Sequence, residues 1–227
     1  GHEMLRGFKR AAAEIGAEVV GEILHPLGTP DYSTLMPRLR AMKPDILAIC
    51  NFGRDQANSI KQAADFGMKQ QMQIVVPVLL FNQRIAVAPD VFEGVIGGAN
   101  YYWQLEKTVP TAKTFNDAYK AAYDGAVPSD YGAYGFTGVA SLLLAMEKAG
   151  GTDTEKVVDA LASLKYDVAK GPQHYRACDH QSIQSVLVLK SKAKAQMTSP
   201  MDLFDIIANE PGSEQMLRTC AELGFPT

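Results

Sequence analysis

The chain has 227 residues, of which 47% are hydrophobic, and 22 basic against 25 acidic residues give a net charge of −3 at pH 7. This is the composition of a globular protein with one large domain or two small ones. The near-neutral charge argues against nucleic acid as the main partner, and no apolar stretch reaches the roughly 20 residues that span a bilayer.

The first hundred residues alternate between helical and extended patterns. Apolar residues at helical spacing predict helices, and continuous apolar runs predict buried parallel strands. Gly16 and Gly67 are predicted stops, and Ser33 is a predicted N-cap. We predict helices over 4–15, 35–42 and 54–66, a short helical or turn segment over 85–92, and strands over 19–24, 45–50, 74–80 and within 94–103. This alternation predicts an α/β fold with a three-layer, doubly wound sheet.

After Thr108 the pattern becomes mainly helical and then returns to extended segments. We predict a helix around Phe115, Ala118, Tyr119 and Ala122, helices over 134–148 and 153–164, a strand over 182–190, an extended segment over 202–208 and a helix over 212–223. A helical block between sheet segments indicates that the chain leaves one lobe and returns to it. The extended segments at 101–109 and 166–182 are the predicted crossings.

Three cysteines are too few and too scattered for a zinc cluster. Cys50 ends an apolar run and is predicted to be a small buried side chain. A bridge between Cys178 and Cys220 is possible in an oxidising compartment, but their spacing does not establish it. His174 and His180 flank Cys178 and Asp179, yet adjacent side chains of an extended segment point in opposite directions. We therefore interpret this segment as a polar turn and predict no metal site.

Catalytic and phosphate-binding motifs are not found: the sequence has no G-x-S-x-G, no G-x-x-x-x-G-K-[ST] and no H-E-x-x-H. We therefore predict no catalytic residue and no cofactor. Ligands of open α/β sheets bind beyond the carboxyl ends of the strands, against apolar walls with a few polar groups. The predicted ligand-binding residues follow three predicted strands: Asn51, Phe52, Gly53, Arg54, Val78, Leu79, Phe81, Tyr101 and Tyr102. Core packing is the alternative role for Leu79, Leu80 and Trp103.

Short segments in a fixed order carry a family resemblance. They are Gly7-Phe8-Lys9, Pro26-Leu27-Gly28-Thr29-Pro30-Asp31-Tyr32-Ser33, Lys43-Pro44-Asp45, Gly53 followed by Ile60-Lys61-Gln62-Ala63, Phe115 with Tyr119, Ala149-Gly150, and Gly171-Pro172 leading to Arg176-Ala177-Cys178-Asp179-His180-Gln181. With these segments the chain resembles the periplasmic substrate-binding proteins of branched-chain amino acid ABC transporters, which have the type I periplasmic-binding-protein fold.

The resemblance implies two Rossmann-like lobes that close on a ligand by a hinge. Residues 1–103 then correspond to the second lobe, 104–179 to helices of the first lobe with crossings, and 180–227 to the return strand and C-terminal tail. The family's opening first-lobe segment has no match here. We therefore expect the sequence to be part of a longer protein, whose helices at 110–164 would otherwise lack much of the sheet they pack on. The family's extracytoplasmic location also favours pairing of Cys178 with Cys220.

One departure from the family concerns the ligand. Amino-acid-binding members commonly place an acid after the third strand of this lobe, where it meets the ligand's ammonium. The matching stretch here is Val76-Pro77-Val78-Leu79-Leu80-Phe81, with no acid until Asp90. An ammonium facing Val78 would lose a charge-assisted hydrogen bond worth about 1.5–3 kcal/mol. The resemblance, with this departure, implies a small apolar or aromatic carboxylic acid as ligand, with Phe52, Leu79 and Phe81 as the wall. A branched-chain or aromatic amino acid is the other ligand class.

The implied role is that of a non-enzymatic periplasmic protein that delivers its ligand to an ABC permease and is a monomer at full length. The chain opens on Gly1-His2-Glu3 without a leader, so no signal peptide is predicted within it. One alternative is a ligand-sensing domain of a receptor or regulator with the same fold. Another is an α/β enzyme acting on a small acid, which would need a base or nucleophile that the predicted strand ends do not supply.

Overall fold

The structure, a computed structural model, describes residues 1–225 and divides into two units. The first unit contains Gly1–Gly98 and Val188–Ile207, and the second contains Ala99–Leu187 and the chain from Ala208 onward. The chain therefore passes between the units next to residues 98, 187 and 207. Residues 101–109 and 166–182, which were predicted as crossings, lie inside the second unit.

The elements follow one another in chain order. The helices are α1 (His2–Glu14), α2 (Met36–Ala41), α3 (Gly53–Asp65), α4 (Phe81–Ile85), α5 (Pro89–Phe92), α6 (Pro110–Ala122), α7 (Asp130–Ala149) and α8 (Thr154–Ala162). The strands are β1 (Ile46–Ala48), β2 (Gln73–Val76), β3 (Ile96–Ala99), β4 (Lys165–Tyr166), β5 (Gln173–Tyr175), β6 (Ser182–Ile183), β7 (Val186–Ser191) and β8 (Phe204–Glu210).

A five-stranded sheet has the order β1-β2-β3-β7-β8. β1 pairs in parallel with β2, and β2 with β3, which confirms the predicted α/β sheet. The backbones of β2 and β3 approach closely at Gly97, where a Cβ atom would lie 2.5 Å from Val76 Cγ2 and 2.6 Å from Leu79 Cβ. Only glycine fits at this position, because any larger residue would push the two strands apart.

Helices and a small antiparallel sheet of order β4-β5-β6 build the second unit. Ser129 caps α7 by accepting from the Gly132 amide, and Gly150 ends the helix in the left-handed region with φ 72°. Through Ala145, α7 packs against α8 and against Leu164 and Tyr166. The helix also exposes five large apolar side chains: Tyr131, Phe136, Val139, Leu142 and Leu143.

Three predictions of local structure are wrong. The predicted strand at 19–24 forms no strand, because a strand requires a pairing partner and none of residues 1–225 pairs with this segment. Ser33 does not cap α2; its amide donates to Asp31 Oδ1 and the helix begins at Met36.

The third is the helix over 212–223, which is reduced to two short 3₁₀ turns, Glu214–Met216 and Ala221–Leu223. Ser213 and Thr219 hydroxyls accept from nearby backbone amides there, which competes with helix formation. The predicted strand over 182–190 is present in two pieces, because β6 pairs with β5 whereas β7 belongs to the large sheet.

Candidate functional site

The carboxyl ends of β1 and β2 are joined by one side chain, Gln56. This residue of α3 is fully buried, and its Nε2 donates to the carbonyl oxygens of Asn51, at 3.2 Å, and Val78, at 3.0 Å. The two predicted loops therefore meet within hydrogen-bond reach of one nitrogen atom. Gln56 is not identifiable from the sequence, because a glutamine inside an amphipathic helix has no local signal for such a bridge.

Asn51 is fixed from its side chain as well. Its Nδ2 donates to Ser59 Oγ at 3.1 Å and lies 3.3 Å from His25 Nε2. The other ring nitrogen of His25 lies 2.9 Å from the carbonyl oxygen of Pro26, so this geometry assigns the proton to Nδ1 and leaves Nε2 to accept from Asn51. The predicted polar group at the end of β1 is thus held in one orientation by α3 and by the segment before Tyr32.

The segment from His25 to Tyr32 is a second part of the site that sequence reasoning missed. The Gly28 amide donates to Asp55 Oδ2 at 2.9 Å, and the Tyr32 amide donates to Gln62 Oε1 at 2.6 Å. Tyr32 is buried, and burial, followed by the nearby Asp55 carboxylate, raises the pKa of its hydroxyl. In the sequence, the signal for this segment is the motif over residues 26–33, which indicates the family resemblance and not the site.

Phe52, Gly53 and Arg54 form the turn into α3. Phe52 is 44% exposed and Arg54 is exposed, so both side chains are accessible at the carboxyl end of β1. Gly53 is the first residue of α3 and has φ 63°, a left-handed conformation that a side chain would strain. The glycine therefore lets the chain turn sharply from Phe52 into the helix.

The predicted apolar wall after β2 divides into accessible and buried residues. Val78 is half-buried at the strand end, whereas Leu79 is fully buried and Phe81 is 7% exposed. Leu79 packs at the close contact with Gly97, and its amide donates to the Gly98 carbonyl. Leu79 and Phe81 thus belong to the core of the first unit, so Phe52 is the accessible residue of the predicted wall, with the half-buried Val78 beside it.

Tyr101 and Tyr102 are interior residues of the second unit, each 1% exposed. The Tyr101 hydroxyl donates to Asn116 Oδ1 at 2.5 Å, and Asn116 Nδ2 donates to the Trp103 carbonyl and to Glu106, each at 2.6 Å. Burial, with a smaller contribution from Glu106, raises the pKa of Tyr101. In this structure the Tyr101 hydroxyl is used to anchor α6 and is not presented to a ligand.

Cys178 and Cys220 form a disulfide with Cα atoms 6.1 Å apart, and Cys50 is a half-buried free thiol whose pKa is raised by burial. Beside the bridge, Arg176 donates to both carboxylate oxygens of Asp179 and to the carbonyl oxygen of Arg218. The guanidinium holds the pKa of Asp179 at about 2. The segment is therefore a polar turn, joined to the C-terminal region by the disulfide and by the hydrogen bond from Arg176 to Arg218.

Residues 1–225 contain no group of three or more His, Cys, Asp or Glu side chains placed to hold a metal ion. No helix in that range is long and apolar enough to cross a membrane.

Comparison with known proteins gives a family match over most of the chain. The model of the family described as "Periplasmic binding protein" matches residues 1–196. An amino acid ABC transporter substrate-binding protein from Pseudomonas fluorescens is 27% identical over 100% of this chain, with a TM-score of 0.86. A periplasmic binding protein from Burkholderia mallei is 27% identical over 94% of this chain, with a TM-score of 0.80.

A third similar structure is a solute binding protein of an ABC transporter from Rhodopseudomonas palustris in complex with 3,4-dihydroxybenzoic acid. It is 23% identical over 92% of this chain, with a TM-score of 0.72. The chain spans 59%, 56% and 56% of the lengths of these three proteins. These matches confirm the resemblance of the sequence, and the chain belongs to the periplasmic binding protein family, with the type I fold.

Proposed function

We propose that the chain is the larger part of an extracytoplasmic solute-binding protein that captures a small apolar or aromatic carboxylic acid and delivers it to an ABC permease. The protein binds its ligand without turning it over and works as a monomer at full length. The similar structures are substrate-binding proteins of transporters, which favours this role over that of a receptor or regulator domain. The exposed apolar side chains of α7 support further protein packing there in the longer protein.

The position of Val78 is the observation on which the proposed ligand class rests. No acidic residue occurs between Ile74 and Asn82, and Val78 stands at the carboxyl end of β2 beside the Asn51-Phe52 turn. The nearby acid Asp55 is buried and accepts from the Gly28 amide, so its carboxylate is engaged by the segment before Tyr32. An ammonium at this point would lose its hydration without gaining a carboxylate, whereas an apolar ligand group would bury surface against Val78 and Phe52.

The ligand's carboxylate needs a polar partner, and Arg54 is the accessible cation nearest in sequence to this wall. A guanidinium binds a carboxylate through two parallel N–H···O bonds. The structure of the Rhodopseudomonas palustris protein holds 3,4-dihydroxybenzoic acid, so this fold accommodates an aromatic acid. The Pseudomonas fluorescens protein is named for amino acids, which makes a branched-chain or aromatic amino acid the second ligand class to test.

A thermal-shift screen tests the proposal on the protein at the full length that its gene encodes, called the full-length protein below. The panel contains benzoate, 3,4-dihydroxybenzoate, 4-methylpentanoate, leucine, valine and phenylalanine. A ligand at 100 times its dissociation constant stabilises the folded state by about 2.7 kcal/mol, which corresponds to a shift of about 5–10 °C. We expect shifts with the acids that lack an ammonium. A shift with leucine or valine alone would refute the ligand class. Chemical conversion of any panel compound during incubation with the protein would refute the non-enzymatic role.

A further inference from the structure

Lys170 is a buried lysine whose side-chain nitrogen is surrounded by neutral acceptors. The residue is 3% exposed, and its Nζ donates to the carbonyl oxygen of Asn100, to Gln184 Oε1 at 3.0 Å and to the carbonyl oxygen of Ser185 at 2.8 Å. All three are uncharged, whereas a buried ammonium is ordinarily paired with a carboxylate. Because this arrangement is costly, the parts of the chain that Lys170 Nζ holds together are of interest.

The acceptors lie next to two passages of the chain between its units. Asn100 directly follows β3 and is the second residue after the passage at Gly98. Ser185 directly precedes β7 and lies two residues before the last residue of the second unit in this stretch, Leu187. One nitrogen atom therefore joins the backbones that lead into both passages, although 85 residues (100 to 185) separate them in sequence.

The number of these hydrogen bonds depends on one proton. An ammonium has three N–H groups, one for each acceptor, whereas the neutral amine has two N–H groups and a lone pair. After deprotonation at least one acceptor loses its bond and faces the lone pair. Burial lowers the pKa of Lys170 to about 7, so this change falls near neutral pH.

The titratable groups around Lys170 are engaged elsewhere or titrate at higher pH. The Asp167 carboxylate on the same loop accepts from the Thr111 hydroxyl and the Gly171 amide. Burial raises the pKa of Tyr134 on α7 to about 12, and it raises the pKa of Tyr166 on β4 further. His174 on β5 lies 3.5 Å from Glu214.

We propose that Lys170 is a positioning residue whose ammonium clamps the backbones at Asn100 and Ser185 together and whose deprotonation releases one of them. At a pH below the Lys170 transition the clamp stiffens both passages. At a pH above it, the loss of one hydrogen bond loosens them. It acts whatever the ligand of the protein is, so it does not depend on the proposed function.

Hydrogen–deuterium exchange of the full-length protein tests the clamp. Exchange is followed between about pH 6 and about pH 9, on the two sides of the Lys170 transition, and corrected for the intrinsic rate. In the wild-type protein we expect the amides around Asn100 and Ser185 to lose about tenfold in protection as the pH rises, the effect of losing one charge-assisted hydrogen bond. In Lys170→Met the protection of these amides should be independent of pH. In Lys170→Arg, which keeps its charge, it should also be independent of pH and stay high.

Lys192→Met is the matched control. Lys192 is also largely buried, but it pairs with Asp202 at 2.7 Å and Asp205 at 3.3 Å, so its removal should leave the pH response at Asn100 and Ser185 unchanged. A wild-type protein whose protection at these amides does not change with pH overturns the proposal, even if neither Lys170 variant folds. The same pH response in Lys170→Met as in the wild type overturns it too.

Discussion

Replacing Gln56 with methionine should destabilise the first unit, because Gln56 is the side chain that ties the two site loops together. Methionine has nearly the same length and fills the same buried space, so the change mainly removes polar atoms. Two hydrogen bonds from Nε2, at 3.2 Å to the Asn51 carbonyl and 3.0 Å to the Val78 carbonyl, are lost.

The expected loss of stability combines these two hydrogen bonds with one compensating gain. Each bond is worth about 1 kcal/mol net, and a buried acceptor left unpaired costs about 1–3 kcal/mol. The wild-type Oε1 of Gln56 is itself buried with no partner among the described residues, so its removal offsets part of the loss. We expect the free energy of unfolding to fall by about 2–3 kcal/mol, and the melting temperature by about 4–12 °C.

Urea unfolding of the full-length protein, followed by circular dichroism, measures this loss. Gln70→Met is the control, because Gln70 is exposed on a 3₁₀ turn and its replacement should change the free energy by less than about 0.5 kcal/mol. Equal stabilities of Gln56→Met and the wild type would show that the Asn51 and Val78 loops are held by other contacts. That result would overturn the role assigned to Gln56.

Three other changes have outcomes set by the structure. Replacing Cys178 and Cys220 together by alanine should cost about 4 kcal/mol in urea unfolding, since the bridge spans 42 residues of sequence; a cost under about 1 kcal/mol would contradict this. The pKa of Asp179 is lowered from 3.8 to about 2, so the ion pair with Arg176 adds stability above pH 4 that is lost as the pH falls towards 2. Asp179→Asn should remove that part of the acid dependence, and an unchanged acid-unfolding profile would count against the ion pair. Val78→Glu should raise the affinity for leucine about 10- to 100-fold in calorimetric titration, whereas Val78→Gln, which adds no charge, should raise it much less.

The elements that could be predicted from the sequence carry strong local signals. The helix predicted over 54–66 is observed at Gly53–Asp65, and the one predicted over 134–148 at Asp130–Ala149, because each has a long apolar period and a glycine near its end. The predicted strand at 19–24 failed for the opposite reason. Its pattern was extended, but a strand also needs a partner far away in sequence, which local periodicity does not reveal.

The sequence predicted which loops meet at the candidate site better than it predicted which of their side chains are exposed. The rule that ligands bind beyond strand ends led to Asn51, Phe52 and Val78, which the structure brings together. The same rule named Leu79 and Tyr101, which are buried, because an apolar residue after a strand looks alike in sequence whether it faces a ligand or the core. The rule could not identify Gln56, because the role of Gln56 consists of two contacts with backbone atoms that are distant in sequence.

The ligand preference is measured most directly with 3-phenylpropanoate and L-phenylalanine, which differ only in the α-ammonium group. Isothermal titration of each into the full-length protein compares their affinities at one site. Because Val78 offers the ammonium no carboxylate, we expect 3-phenylpropanoate to bind at least about 10-fold more tightly than phenylalanine, the equivalent of the missing charge-assisted bond. Tighter binding of phenylalanine would overturn the proposed ligand class and would mean that groups other than Val78 and its neighbours receive the ammonium.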